Sequence, residues 1–387
     1  MRFLNFLVGF AAATSAILVP SVSPGPYSVG LRIKALTDES RWDPYAPKDD
    51  PQKRRVLLSA FTPVGLASNS CPHEVIDIPY MPPNTAKVFG AQTDAIGLPH
   101  GVFEDLQMRL CRLPDDKVYE RSREEAPAFP VVIFSPGRGV SRLAYNAIGR
   151  TLASHGYDVL TVDHAYDAAI IEFPDGSSVT GVTGEANQTV LEKSAEVRQK
   201  DISFIIDQLK DEAIAKSLIG FTLVDRIFVF GHSAGAAAAA CSLFADDRIL
   251  GAINFDGDML GPVAESGLDK PFFIIGKPHS REQGPSWNRT WENLRGPAMM
   301  MQIEGTTHQS FFDAPLLVTL RDVPEGSEGK IDAAIGTIDG RRMSVVLTEL
   351  TVAILEFVFE GAVNRLCQAL SSSSEVTILE TKGIDCA

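Results

Sequence analysis

The chain is short of basic charge. Across 387 residues, 35 Lys and Arg stand against 49 Asp and Glu, for a formal net charge of −14. Phosphate backbones are held by clustered cations, so this balance argues against nucleic acid as a partner. An anionic membrane is equally unattractive, and transient contact with a lipid surface would need a local apolar patch. Cysteine is sparse, and its count of five is odd. Cys241 reads as a buried free thiol. In an oxidising compartment Cys71 could pair with Cys111 and Cys367 with Cys386, although sequence alone leaves the connectivity open. There is no internal repeat. No set of His, Cys and acidic residues has convincing metal-ligand spacing: Asp163-His164 with Asp167 stands alone and reads as a strand-end loop. Gly137-Arg138-Gly139 lacks the third glycine of a dinucleotide fingerprint. Neither metal nor cofactor is therefore expected, and no obligate protein partner is evident.

What is present is a large apolar complement and a leader. Hydrophobic residues make up 45% of the chain, and strand and helix signals alternate along most of it. That alternation predicts one α/β domain with a mostly parallel central sheet and helices on both faces. Met1–Ala16 reads as a secretory signal: Arg2, an apolar stretch from Phe3 to Ala13, then the small residues Thr14-Ser15-Ala16. The apolar run to Val19 is barely long enough to span a bilayer and stops at Pro20, so an uncleaved anchor is the lesser reading. A secreted location also suits the two sequons, at Asn187 and Asn288. Residues 17–27 read as a proline-rich linker and 28–367 as the α/β domain. Within that domain, 62–128 is a long excursion with a few short helices, of which Gly101–Cys111 is the foremost, and 164–190 is a hairpin insertion. Residues 368–387 read as a tail without a fold role.

The chemistry centres on Gly231-His232-Ser233-Ala234-Gly235. Gly-x-Ser-x-Gly alone arises by chance roughly 0.2 times in a chain of this length and composition. Here an apolar strand, Ile227–Phe230, leads in, and the five alanines Ala236–Ala240 lead out as a helix. That context makes it a nucleophile elbow, with Gly231 and Gly235 side-chain-free because the sharp turn crowds them together. A serine nucleophile needs a base, and the base needs an acid to orient it. Only His279 and His308 follow Ser233. His308 lies just past the last apolar strand and is the expected base. His279 is read as a loop residue. For the acid, spacing favours Asp256 only narrowly over Glu282, with Asp258 close by. The oxyanion donors are expected to be the backbone N–H groups of Ala234 and of Arg138, in the loop Pro136–Gly139. Trp287 and Trp291, four residues apart, are expected to pack one helix face.

Four segments resemble the platelet-activating factor acetylhydrolase family of serine esterases over about Phe129–Glu360. They are Val131–Gly139 with Tyr145–Gly149 and Leu152–Gly156 downstream, Val197–Lys200, Gly231–Gly235 with Asn254-Phe255-Asp256, and Thr307–Phe311. The resemblance implies an α/β-hydrolase fold with Ser233 as nucleophile, Asp256 as acid, His308 as base, and Arg138 and Ala234 as oxyanion donors. Pro136 departs from the family, which commonly has His before the glycine. The implied substrate is a phospholipid with a short or oxidised sn-2 acyl group. The alternatives are a broad carboxylesterase or polyester hydrolase, an acyltransferase using the same serine, and an inactive hydrolase-fold protein that only binds a small ester or a partner.

Overall fold

Strands that are apolar at every position must be covered on both faces, and successive side chains divide between the two. This chain obeys that rule in its central strands. Val132, Phe134, Phe228, Phe230, Ile253 and Phe255 face one core, while Val131, Ile133, Ile227, Val229 and Ala252 face the other. The first core is closed by the helices Asn146–Ser154 and Gly340–Glu360. The second is closed by Gln188–Gln208, Ala234–Ala245 and Pro285–Asn293. These statements come from a computed structural model, which describes residues 16–65, 71, 74–98, 101–113, 128–182, 184, 187–220 and 224–386. All but the last residue of the expected signal, Met1–Ala16, lies outside them.

In chain order the strands are β1 (Ile17–Leu18), β2 (Ser28–Trp42), β3 (Lys53–Val64), β4 (Val75–Pro79), β5 (Leu106–Cys111), β6 (Val131–Ser135), β7 (Asp158–His164), β8 (Ile170–Glu172), β9 (Ser178–Thr180), β10 (Ile227–His232), β11 (Ile249–Phe255), β12 (Phe272–Gly276), β13 (Ala298–Ile303) and β14 (Val376–Lys382). Twelve of them form one mixed sheet, ordered β1-β5-β2-β3-β7-β6-β10-β11-β12-β13-β14 with β4 on β5. From β7 to β13 every pairing is parallel. Antiparallel pairs, β2–β3–β7 and β13–β14, flank this block. The fold is that of an α/β-hydrolase. The order turns back at β6, since the chain goes from β6 to β7 on one side and later places β10 on the other. The loops leaving β6 and β10 therefore part toward opposite faces and open a crevice between them, where ligands bind in open α/β sheets.

Several expected elements differ. Leu106–Cys111 is a strand, not the end of a helix, because Leu106, Met108 and Leu110 are buried at alternate positions. The expected linker is packed: β1 pairs with β5, Arg150 donates to the carbonyls of Val19 and Pro20, and the Gly25 N–H donates to Ser154. The expected tail supplies β14, an antiparallel edge strand pinned by a Cys367–Cys386 disulfide. Hydropathy misses it because one of its faces meets solvent. The amphipathic stretch from Leu191 to Ile214 lies on two helices, Gln188–Gln208 and Glu212–Ile219, the second capped by Asp211. A second disulfide joins Cys71 to Cys111, and Cys241 is free and buried. A hairpin stands within 164–190, where β8 and β9 pair around Asp175-Gly176.

One buried carboxyl ties the excursion to the catalytic half. Asp313 accepts from Tyr80 and from the N–H groups of Ala147 (2.7 Å) and Ile148 (3.3 Å). Burial outweighs these bonds and pushes its carboxyl up to about 6. A raised carboxyl stabilises the fold while protonated and loses that contribution as pH climbs to its folded value. The Asp313→Asn variant should match the wild type near pH ~4 and exceed it in stability above pH ~6. Urea melts at the two pH values check this; an identical gap at both would show that Asp313 does not titrate in that window. Replacing Cys367 and Cys386 together by Ser should lower stability by ~2–3 kcal/mol, read by thermal unfolding, through release of β14.

Candidate active site

The strand β10 delivers the chain to Ser233 in a backbone conformation that L residues avoid, φ 57° and ψ −120°. Two close approaches hold it there. A Cβ on Gly231 would lie 2.3 Å from the Gly235 backbone, and one on Gly235 would lie 1.9 Å from the Ser135 carbonyl oxygen. The first contact makes the turn. The second brings the end of β6, and with it the loop Pro136–Gly139, against the elbow. Ala236–Ala240 are all buried with at most 1% exposure, so the helix behind the serine packs flush on the sheet. Its first N–H groups, including that of Ala234, have no partner within the helix.

Ser233 Oγ lies 2.9 Å from His308 Nε2, and His308 Nδ1 lies 2.6 Å from Asp256 Oδ2. A carboxylate only accepts, so Nδ1 carries the proton and Nε2 is left to accept from the serine. Asp256 sits at the end of β11 with φ 48°. Its other oxygen accepts from the Ser280 hydroxyl and from the Lys277 N–H at 3.2 Å. Burial pushes the carboxyl up, but the bonds from His308 and Ser280 outweigh it and hold it below its ordinary value. It therefore stays ionised beside the imidazole. Trp287 braces this turn by donating to the Gly257 carbonyl at 2.8 Å, and Trp291 is buried on the same helix. Ser233, Ala234, Asp256, His308 and Arg138 all line one cleft of about 440 Å³.

The other acids and the other histidine stand elsewhere. Glu282 and His279 are exposed and 3.9 Å apart. Asp258 is exposed and meets Ser286. Asn187 is exposed and caps the Gln188–Gln208 helix by accepting from Val190. Asn288 is half-buried and accepts from Arg281 at 2.7 Å. Asp163, His164 and Asp167 do not converge. Asp163 accepts from Arg142, whereas Asp167 and His164 are joined only indirectly, in a network around Arg198 and Ser135.

That network is one of two that sequence reasoning missed. Arg198, 1% exposed, donates to the carbonyls of Pro136 and Gly137 and to Ser135 Oγ, while Asp167 balances its charge. Ser135 Oγ in turn meets His164 Nε2 at 3.0 Å, and His164 Nδ1 meets Asp201 at 2.8 Å. Arg54 closes the set on Asp201 and Asp43. Ser135, His164 and Asp201 repeat the residue types of the open site, but they are at most 1% exposed. They hold the loop and meet no substrate.

The second network joins the loop after β6, the elbow and the loop of His308. The Gly137 N–H donates to Tyr145 Oη at 3.2 Å, and the Tyr145 hydroxyl donates to His232 Nδ1 at 2.8 Å. His232 Nε2–H donates to the His308 carbonyl at 2.9 Å. Burial, reinforced by the neighbouring His308, drives His232 down to about 3, so it stays neutral. Burial also pushes the Tyr145 phenol up, so it keeps its proton. His232 is the variable position of the elbow pentad and Tyr145 stands in an unremarkable helix, so no motif marks their partnership.

Comparison with known proteins places this geometry. A family model described as platelet-activating factor acetylhydrolase, isoform II, matches residues 106–203 and 184–353. The chain is 32% identical over 347 residues to a probable 1-alkyl-2-acetylglycerophosphocholine esterase of Arthroderma benhamiae, covering 85% of this chain and 84% of that one. It is 29% identical over 225 residues to the platelet-activating factor acetylhydrolase of Bos taurus, 48% of each chain. Among solved structures, a ferulic acid esterase from Streptomyces cinnamoneus superposes with a TM-score of 0.74 at 27% identity, covering 95% of this chain and all of that one.

Tyr145→Phe keeps the ring but removes one acceptor and one donor from the buried relay. Each orphaned group costs ~1–3 kcal/mol. The expected result is a roughly tenfold lower kcat with little change in KM on a short ester. Unchanged kcat in a folded variant would show that the relay does not position the cleft.

Proposed function

The chain belongs to the platelet-activating factor acetylhydrolase family of serine ester hydrolases, and from that premise we propose that it removes a short sn-2 acyl group from a phospholipid through an acyl-enzyme on Ser233. The observation that carries the assignment of roles is the unbroken line from Ser233 Oγ through His308 to Asp256, at 2.9 and 2.6 Å. His308 Nε2 takes the hydroxyl proton as Oγ attacks the ester carbonyl carbon. The carbonyl electron pair moves onto oxygen, and the N–H groups of Ala234 and Arg138 receive that charge. The N-terminal end of the Ala234–Ala245 helix adds a favourable field. As the tetrahedral centre collapses, His308 returns the proton to the leaving alcohol. Water then enters by the same steps in reverse, releasing the acid and freeing Ser233. Asp256 fixes the tautomer throughout and faces the imidazolium when it forms.

The substrate assignment draws on the relatives' names, 1-alkyl-2-acetylglycerophosphocholine esterase above all. The second reading is a broader esterase. The observation in its favour is the superposition with a ferulic acid esterase. Secretion is the matching location, with Met1–Ala16 as signal and Asn187 and Asn288 as candidate glycosylation sites. Two disulfides suit an oxidising compartment, and no helix among the described residues is long and apolar enough to cross a membrane.

Ser233→Ala and His308→Ala should each cut kcat on p-nitrophenyl acetate by ~10³-fold or more, and Asp256→Asn by a comparable factor. An organophosphonate should add one label to the wild type and none to Ser233→Ala, by intact mass. Retained activity in Ser233→Ala would overturn the assignment. Hydrolysis of the acetylated ether phospholipid no faster than its background, beside rapid cleavage of aryl esters, would favour the broader esterase.

A further inference from the structure

A guanidinium carries five N–H donors in a rigid fork, and in the buried Arg198 every one of them has an acceptor. Nε and one Nη2 hydrogen go to the two oxygens of Asp167, at 2.8 and 2.6 Å. One Nη1 hydrogen goes to Ser135 Oγ at 3.2 Å and the other to the Pro136 carbonyl. The last, on Nη2, goes to the Gly137 carbonyl at 3.5 Å. A single side chain thus holds two successive carbonyls of the loop after β6. The first of these peptides is pinned at both ends, since its N–H, on Gly137, donates to Tyr145 Oη at 3.2 Å.

The second peptide joins the Gly137 carbonyl to the Arg138 N–H. It is trans and planar, so its C=O and N–H point in opposite directions. A carbonyl drawn toward Arg198 therefore turns the Arg138 N–H away from the guanidinium. Arg138 lines the cleft with Ser233 and Ala234, and its N–H has no partner among the described residues. A cation at the carbonyl end also polarises the amide, which makes the N–H at the other end a stronger donor. Asp167 on one side, and Ser135 backed by His164 on the other, fix the plane of the fork.

We infer that Arg198 is a positioning residue of the reaction: it orients and polarises the peptide whose N–H, on Arg138, receives the oxyanion. This role rests on the proposed serine esterase chemistry. It gives Arg198 a part in the transition state as well as in the stability of the loop. Lysine cannot take it over, because one ammonium does not span two carbonyls and a carboxylate in a fixed fork.

The experiment compares wild type, Arg198→Lys and the double variant Cys367→Ser/Cys386→Ser, whose positions do not line the cleft. Each is assayed on p-nitrophenyl acetate and titrated with an aryl trifluoromethyl ketone. Ser233 Oγ adds to the carbonyl carbon of the ketone, its proton passes to His308, and the carbonyl electron pair moves onto oxygen. The Ki of the ketone therefore reads oxyanion binding. Arg198→Lys keeps a charge beside Asp167 and should lower kcat by ~10–100-fold with little change in KM. Its Ki should rise by the same factor. The cysteine variant should keep wild-type kcat, KM and Ki, which separates lost stability from lost orientation. Should Arg198→Lys not fold, Arg198→Gln combined with Asp167→Asn removes both charges and strands neither, and the same parallel change in kcat and Ki is expected. Wild-type kcat and Ki in either folded Arg198 variant would overturn the inference. So would a lowered kcat with unchanged Ki, which is what a purely structural role gives. Absence of turnover on the acetate by wild type would instead sink the esterase reading on which the role rests.

Discussion

There is no room for a methyl group between Gly235 and the carbonyl oxygen of Ser135: a Cβ there would stand at 1.9 Å. That approach brings two loops from neighbouring strands into one cleft. It fuses the turn after β10 to the turn after β6, so the serine and the backbone that would receive the oxyanion share a rigid seam. The strained conformation of Ser233, φ 57° and ψ −120°, survives because strands on both sides and a flush alanine helix overdetermine it. A strained turn is sustained by its surroundings, and here the surroundings are nearly solid core.

Around that seam the protein places buried polar groups where a hydrophobic core would be cheaper. Arg198 grips the oxyanion loop by its carbonyls, and Tyr145 accepts from the Gly137 N–H of the same loop. Asp167, Asp201, His164 and Arg54 satisfy the charges that this grip takes out of water. Removing one partner from such a set strands a buried charge, a cost of several kcal/mol. The neutral relay of Gly137, Tyr145, His232 and His308 serves the same end without charge. Both act before any substrate arrives, which is what preorganised electrostatic catalysis requires.

The elements from β6 to the loop of His308 carry Ser233, Asp256, His308, Ala234 and Arg138, the residues to which the catalytic roles are proposed. Asp313 locks the segment before β6 to the helix after the oxyanion loop through Tyr80, Ala147 and Ala144.

The sequence by itself determined the parallel α/β core, because doubly buried strands need unbroken apolar runs. It also determined the elbow, because only glycine tolerates positions 231 and 235. His308 followed from chain order and from the scarcity of histidines after Ser233. Tertiary structure decided what depends on distance. Asp256 and Glu282 were nearly equal in spacing, and only the fold puts Asp256 at 2.6 Å from the imidazole while Glu282 stands in solvent. The bond of Tyr145 to His232 spans 87 positions and that of Arg198 to Pro136 spans 62, with no local periodicity to announce either. β14 carries no strand signal in the sequence because an edge strand needs apolar residues on one face alone. Local patterns record how a segment is covered, whereas a site is made by segments that meet, and that meeting is a property of the whole folded chain.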